Sequence, residues 1–101
     1  MIPQSKRAWA RILRGAANLI EEKGWIKNDY GNAYKGYCVL GALDQVTGEE
    51  FSRLNKVLGI KHNPAVWNDR KKRTKEDVLK LFRSRARDLE HGGELDLRGV
   101  S

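Results

Sequence analysis

The sequence predicts an all-α fold, a compact single domain of about four helices, and three observations support this class. Apolar residues recur at spacings of three and four over most of the chain, which is the period of amphipathic helices. Helix-capping residue types precede these segments, and glycines follow them. The 101 residues are enough to build one hydrophobic core but not two. We therefore expect one helical domain over residues 1–91 and a loose C-terminal tail over residues 92–101.

The first helix is predicted to begin after Ser5, an N-cap residue type, and to stop at Gly24. Its apolar residues share one face, and they are Trp9, Ile12, Leu13, Ala16, Ala17 and Ile20. At about 100° per residue, Arg7, Arg11 and Arg14 fall together on the opposite face. The helix therefore has an apolar side and an arginine side.

A long loop is predicted between the first and second helices. Residues 27–36 are polar and rich in Gly and Asn, with a short extended segment over residues 33–37. The most apolar run of the chain follows, and the shared face of Val39, Leu43 and Val46 favours a helix over a strand. Gly41 weakens this helix by about 1 kcal/mol relative to Ala, and it is typical of a place where a neighbouring helix comes close.

Capping boxes predict the starts of the other two helices. Thr47 and Glu50 have the Thr-x-x-Glu spacing, so they would open a third helix. Residues 60–73 lack helical periodicity and form the second long loop, before the last helix. Thr74 and Asp77 repeat the pattern with Asp in place of Glu, and they open a last helix that runs to the glycine pair near the C-terminus.

The charge balance is strongly basic. Twenty Lys and Arg face thirteen Asp and Glu, which gives a net charge of +7. This excess favours an anionic partner, either nucleic acid, a nucleotide or an acidic protein surface. The alternative is that the charge only keeps a small protein in solution.

Cysteine usage and hydropathy indicate a cytoplasmic protein, in the host cell if a phage encodes it. The single cysteine excludes an internal disulfide and suits a reducing compartment. The first residues lack the apolar run of a signal peptide, and no stretch approaches the roughly 20 apolar residues of a membrane span. No membrane partner is predicted.

Four short motifs occur in order between residues 9 and 90. They are Gly24-Trp25, Cys38-Val39-Leu40-Gly41-Ala42-Leu43, Trp67-Asn68-Asp69, and Thr74 followed by Val78-Leu79. Together they resemble DUF6197, a family of unknown function found in actinobacteria and their phages. The resemblance implies a small helical domain, often phage-borne, and no activity. The basic run after Asp69 departs from the Pro- or Gly-containing turn that the family pattern has there.

Cys38 is the one candidate nucleophile. It stands at the predicted start of a helix, where unpaired N–H groups would lower a thiol pKa. With His62 as base and Asn68 or Asp69 as orienting group, it would form a papain-like constellation. The alternative is a small buried side chain that lets helices approach, as free cysteines usually are. Cys38, His62 and His91 form no pair at zinc-ligand spacing, so we predict no metal and no cofactor.

The Asn68-Asp69 pair has two interpretations. Its short polar side chains could bind a ligand, or they could cap the loop backbone and hold Trp67 inward. The structural interpretation is favoured.

The most basic segment lies just before the last helix. Five cations occupy six positions, and they are Arg70, Lys71, Lys72, Arg73 and Lys75. These side chains and the helix dipole would act together on a phosphate. The alternative is a solvated loop balanced by Asp69, Glu76 and Asp77. For binding, we expect these cations to join the arginine side of the first helix in a single solvent-facing patch.

The aromatic residues are not interleaved with these charges. Trp9 and Phe82 belong to predicted core faces, and Tyr30, Tyr34 and Tyr37 occupy a separate loop. The sequence therefore does not predict base stacking of the kind that single-strand binders use.

These patterns favour a non-enzymatic, phage-type accessory domain that binds nucleic acid or a nucleotide through a basic surface. One alternative is a protein inhibitor or host-modulating factor that docks on an acidic host protein. The other is a small cysteine-dependent enzyme that uses Cys38.

Overall fold

The computed structural model describes residues 1–100, and 52% of the chain is helical. Within residues 1–100, five helices and one β-hairpin follow each other. They are α1 (Lys6–Lys23), β1 (Gly31–Asn32), β2 (Gly36–Tyr37), α2 (Val39–Thr47), α3 (Asn55–Leu58), α4 (Pro64–Asn68) and α5 (Lys75–Glu90). The mostly helical single globule is confirmed, but the chain is not strictly all-α because of the hairpin.

The two long helices, α1 and α5, begin at the predicted caps. The hydroxyl of Ser5 accepts a hydrogen bond from the amide of Ala8 at 3.0 Å, and Gly24 ends α1 with a φ of 104°. Thr74 and Asp77 form a capping box at the start of α5. The apolar stripes of both helices are buried against each other, and they hold most of the core.

The pair is antiparallel. The start of α1 lies beside the end of α5, where the ammonium of Lys6 donates to the carbonyl of Gly92 at 3.4 Å and Arg14 farther along binds Glu90. The end of α1 lies beside the start of α5, where the ammonium of Lys75 donates to the carbonyl of Glu21 at 3.4 Å. This orientation decides where the basic residues of the two helices end up.

The capping box predicted at Thr47 is wrong. Thr47 is the last residue of α2, and its hydroxyl donates back to the carbonyl of Leu43 at 2.8 Å. Gly48 then ends α2 in the left-handed conformation at φ 72°. The third helix is consequently only the short α3, which follows Leu54.

One helix was missed inside the second predicted loop. Asn63 caps α4 by accepting from the amide of Ala65 at 2.8 Å, and Pro64 takes the first helical position. An Asn-Pro pair is also typical of a turn. A helix of five residues is too short to show a periodic pattern.

The first loop contains the hairpin. Gly31 pairs with Tyr37 and Asn32 with Gly36, so only residues 36 and 37 of the predicted extended segment form a strand. Residues 33–35 form the turn, because the side-chain oxygen of Asn32 accepts from the amides of Tyr34 and Lys35, both at 2.9 Å.

The segment after Gly92 packs on the core, where a loose tail was expected. Val100 is only 6% exposed, and Leu95 and Leu97 are half-buried against the same core. The guanidinium of Arg85 holds the backbone by donating to the carbonyl of Glu94. Among the described residues, no helix combines the length and apolar character needed to cross a membrane.

Candidate functional site

The side chain of Asn68 joins three parts of the chain. It is fully buried, and its oxygen accepts from the indole N–H of Trp25 at 2.7 Å and from the amide of Val39 at 3.0 Å. Its nitrogen donates to the carbonyl of Ile26 at 3.1 Å and to the carboxylate of Asp69 at 3.0 Å. Both lone pairs and both N–H groups are therefore used. We call these contacts the Asn68 network.

Asp69 extends the network to the first loop. Its carboxylate accepts from the amide of Asn28 at 2.9 Å as well as from Asn68. The Asn68-Asp69 pair thus holds backbone groups of the first loop in place, and the indole that it binds is that of Trp25 instead of Trp67. Trp67 is half-buried.

Gly41 is required by the same loop. A Cβ atom at this position would lie 2.0 Å from the carbonyl oxygen of Tyr30, which also accepts from the amide of Cys38 at 3.2 Å. A close neighbour was predicted here, but it is the backbone of the first loop instead of a helix.

Residues 70–73 form a tight turn between α4 and α5. The amide of Arg73 donates to the carbonyl of Arg70 at 3.0 Å, which places Lys71 and Lys72 at the tip. The ammonium of Lys27 donates to the carbonyls of Arg70 and Lys71 at 2.6 and 3.2 Å. We call Arg70, Lys71 and Lys72 together with Lys27 the basic turn.

The basic turn is not neutralised by nearby acids. Arg70, Lys71 and Lys72 are exposed, and within residues 1–100 none of them forms an ion pair. The guanidinium of Arg70 contacts a ring nitrogen of His62 at 3.0 Å. The balance that Asp69, Glu76 and Asp77 were expected to supply is therefore absent at ion-pair distance from these cations.

Two members of the predicted basic run are engaged elsewhere. The guanidinium of Arg73 stacks on the ring of Trp67 at 3.7 Å from its centroid, and its Nε donates to the carbonyl of Trp67 at 2.8 Å. Lys75 reaches the carbonyl of Glu21. These contacts join the segment to α4 and to α1.

The predicted N-terminal phosphate site of α5 already holds a carboxylate. Asp77 accepts from the amide of Thr74 at 3.0 Å, and this bond lowers the pKa of Asp77 below its ordinary value. An anion at this helix end would compete with the protein's own negative charge.

The arginine side of α1 does not join the basic turn, so the prediction of a single patch is wrong. Glu21 contacts Lys75, so it marks the end of α1 that is near the start of α5. Arg7 lies about 21 Å from Glu21 along α1, because an α-helix rises about 1.5 Å per residue. Salt screens the electrostatic interaction between charges this far apart, because the Debye length is about 8 Å under physiological conditions. Arg7, Arg11 and Arg14 instead line a separate cleft of about 590 Å³ with Glu90, which pairs with Arg14.

Cys38 does not meet the requirements of an activated nucleophile. Its sulfur caps α2 by accepting from the amide of Gly41 at 3.2 Å, and the residue is 6% exposed. Burial raises the pKa of the thiol, which outweighs the hydrogen bonds from the backbone of Gly41 and Leu40. Cys38 and Asp69 both line a cavity of about 370 Å³.

His62 and Asp69 do not complete a catalytic constellation with this cysteine. Among the described residues, His62 bonds to Arg70 and makes no hydrogen bond to Cys38. Asp69 is held by Asn28 and Asn68. Residues 1–100 contain no cluster of three His, Cys, Asp or Glu side chains that could hold a metal ion.

The loop that carries Tyr30 and Tyr34 begins beside the basic turn, although the sequence separates residues 27–28 from residues 69–71 by some 40 positions. Lys27 and Asn28 contact residues 69–71, and the hairpin follows directly. Its turn presents Tyr34 with 99% of the side chain exposed. No local pattern could have indicated this proximity, because it depends on the Asn68 network.

The model of the family of unknown function DUF6197 matches residues 4–88. This span includes the Asn68 network, the hairpin and the basic turn. No curated protein and no solved structure matches the chain. The family predicted from the four motifs is confirmed, and the chain belongs to the family of unknown function DUF6197.

Proposed function

We propose that this protein is a non-enzymatic binding domain that holds the phosphate backbone of a nucleic acid at the basic turn. The observation that carries the proposal is the set of three adjacent exposed cations, Arg70, Lys71 and Lys72, none of which has an ion-pair partner within residues 1–100. Lysine and arginine side chains that neutralise phosphates release counterions, and this release drives binding.

The local contacts concentrate the charge. Lys27 brings a fourth ammonium to the turn by donating to two of its carbonyls. The nearest acid in sequence, Asp69, uses its carboxylate to accept from Asn28 and Asn68. Like charges held together repel, and a polyanion relieves that repulsion.

A binding role is also favoured by the state of Cys38. A thiol that is buried, has a raised pKa and caps a helix is a poor nucleophile. An accessory domain of the phage type that the family resemblance suggests needs no catalytic group.

The test is the salt dependence of binding to labelled oligonucleotides, measured by fluorescence anisotropy between about 50 and 200 mM salt. The variant Arg70→Gln/Lys71→Gln/Lys72→Gln removes three charges and keeps polar side chains. We expect the slope of log affinity against log salt to fall by about 2 to 3 units, because each phosphate contact contributes about 0.7 to 0.9.

The matched control is Lys6→Gln/Arg7→Gln/Arg11→Gln, which removes the same charge from the other end of α1. This variant should lower the slope by much less. Equal effects of the two triple variants would show that net charge alone drives binding. Absence of binding at low salt would overturn the proposal, and capture of an acidic host protein after nuclease treatment would then favour the docking alternative.

A further inference from the structure

Tyr34 is held by ordered backbone and yet is almost entirely outside the protein. Asn32 accepts from the amides of Tyr34 and Lys35, and the two strands below the turn pair in register. The ring is 99% exposed, whereas Tyr37 of the same hairpin is buried at 7%. The backbone that carries the ring is therefore ordered, and both faces of the ring are open to a flat ligand.

The hairpin and the basic turn belong to one structural unit. Asn28 donates to Asp69 and Lys27 to the carbonyls of Arg70 and Lys71, so residues 27–28 and 69–71 are in direct contact. Behind them, Asn68 binds Trp25 and Ile26. These bonds keep the start of the hairpin loop against the turn.

The length of chain between Asn28 and Tyr34 sets an upper limit on the distance from the ring to the basic turn. Residues 28 to 34 span at most about 20 Å of chain, and the folded hairpin shortens this reach. Modules that bind single strands contact about 4 to 16 nucleotides. One such stretch can therefore reach both Tyr34 and the tip of the turn at Lys71 and Lys72.

We infer that the ligand of the basic turn is single-stranded nucleic acid, with one base stacked on the ring of Tyr34 while phosphates farther along the same strand lie at Arg70, Lys71 and Lys72. The inference rests on the proposed function. It selects single strands because the faces of bases in a duplex are covered by stacking, whereas a single strand offers them to an aromatic side chain.

The test compares three labelled ligands of equal length in the anisotropy assay. They are an oligothymidylate, its abasic counterpart with the same phosphates, and a duplex. We expect the wild-type protein to bind the oligothymidylate at least about 5-fold more tightly than the abasic strand, which is the lower range for one base on one aromatic ring. The duplex should bind less tightly than the oligothymidylate.

Tyr34→Leu removes the ring and keeps an apolar side chain, and it should abolish the preference for the oligothymidylate over the abasic strand. Tyr34→Phe is the matched control and should preserve that preference. The salt slope should stay unchanged in both variants, because no charge is removed. Thermal unfolding checks that each variant is folded.

The two proposals fail differently. A preference for the oligothymidylate that survives Tyr34→Leu, or equal affinity for the abasic strand, overturns the stacking role and leaves phosphate binding at the turn intact. Tighter binding of the duplex also overturns it. Absence of binding to every ligand at low salt overturns both.

Discussion

Asn68 is the one fully buried polar side chain in the part of the chain that the structure describes. Buried polar groups are costly unless they are hydrogen-bonded, and Asn68 makes all four of its bonds. Two of its partners, the indole N–H of Trp25 and the amide of Val39, both donate to its side-chain oxygen. The residue therefore stabilises the junction of the first loop, α2 and α4.

We expect Asn68→Ala to lower the free energy of unfolding by about 2–4 kcal/mol, because it leaves the N–H groups of Trp25 and Val39 without an acceptor. Urea denaturation measures the change. Asn63→Ala, which removes an exposed N-cap, is the control and should cost about 1 kcal/mol. An equal cost for the two variants would contradict the role assigned to the network.

Helix α2 ends with an unfavourable charge. Asp44 lies in its last turn, which contains no basic residue, and a carboxylate there opposes the helix dipole. Burial, with a smaller contribution from the charge of Glu50, raises the pKa of Asp44 to about 6. The folded state consequently binds more protons than the unfolded state between about pH 3.8 and 6.

The free energy of unfolding should fall as pH rises through this window, because the pKa of Asp44 is higher in the folded state than in the unfolded state. We expect Asp44→Asn to raise Tm at pH 7 and to flatten the change in Tm between about pH 4 and 6. Thermal unfolding followed by circular dichroism measures both effects. Asp88→Asn, which removes a carboxylate from the last turn of α5, is the control. A Tm at pH 7 that falls in Asp44→Asn would contradict the expectation.

The capping-box pattern occurs at Thr47 and at Thr74, but only the one at Thr74 begins a helix. Thr74 and Asp77 satisfy each other's backbone groups, so the pattern and the structure agree. Thr47 has the same spacing to Glu50, but its hydroxyl bonds to Leu43 in the preceding helix. Whether a threonine caps the helix after it depends on where the helix before it ends.

The two groups of cations that the sequence singles out lie in separate places on the molecule. The antiparallel packing of α1 and α5 puts the arginine side of α1 at one end and the basic turn at the other.

The C-terminal segment closes the core near α3, since the hydroxyl of Ser52 donates to the carbonyl of Gly99 at 3.5 Å.

Ending the chain after Gly93 should lower the free energy of unfolding by about 2–4 kcal/mol, because Val100 and the half-buried Leu95 and Leu97 leave the core. Chemical denaturation measures the loss. Arg98→Ala, at a side chain that is 87% exposed, is the control and should change stability little. Equal stability of the truncated and the full chain would instead support the prediction of a loose C-terminal tail.

Much of the fold could be predicted and little of the candidate site. The ends of α1 and α5 follow from Ser5, Gly24 and Thr74, whose hydrogen bonds stay within four residues. The hairpin and α4 were missed because two to five residues show no periodicity. The basic run was found from composition, but its partner Lys27 and the neighbouring Tyr34 were not.

The sequence by itself determined the helix faces, the main caps, the family and the excess of positive charge, because each of these depends on residues near one another in the chain. Only the tertiary structure decided which charges share a surface and which part of the first loop contacts the basic turn. The bonds responsible join residues far apart in the chain, such as Trp25 to Asn68, which are 43 positions apart. Such pairings arise from packing of the whole chain, and no local hydrogen bond or periodicity encodes them.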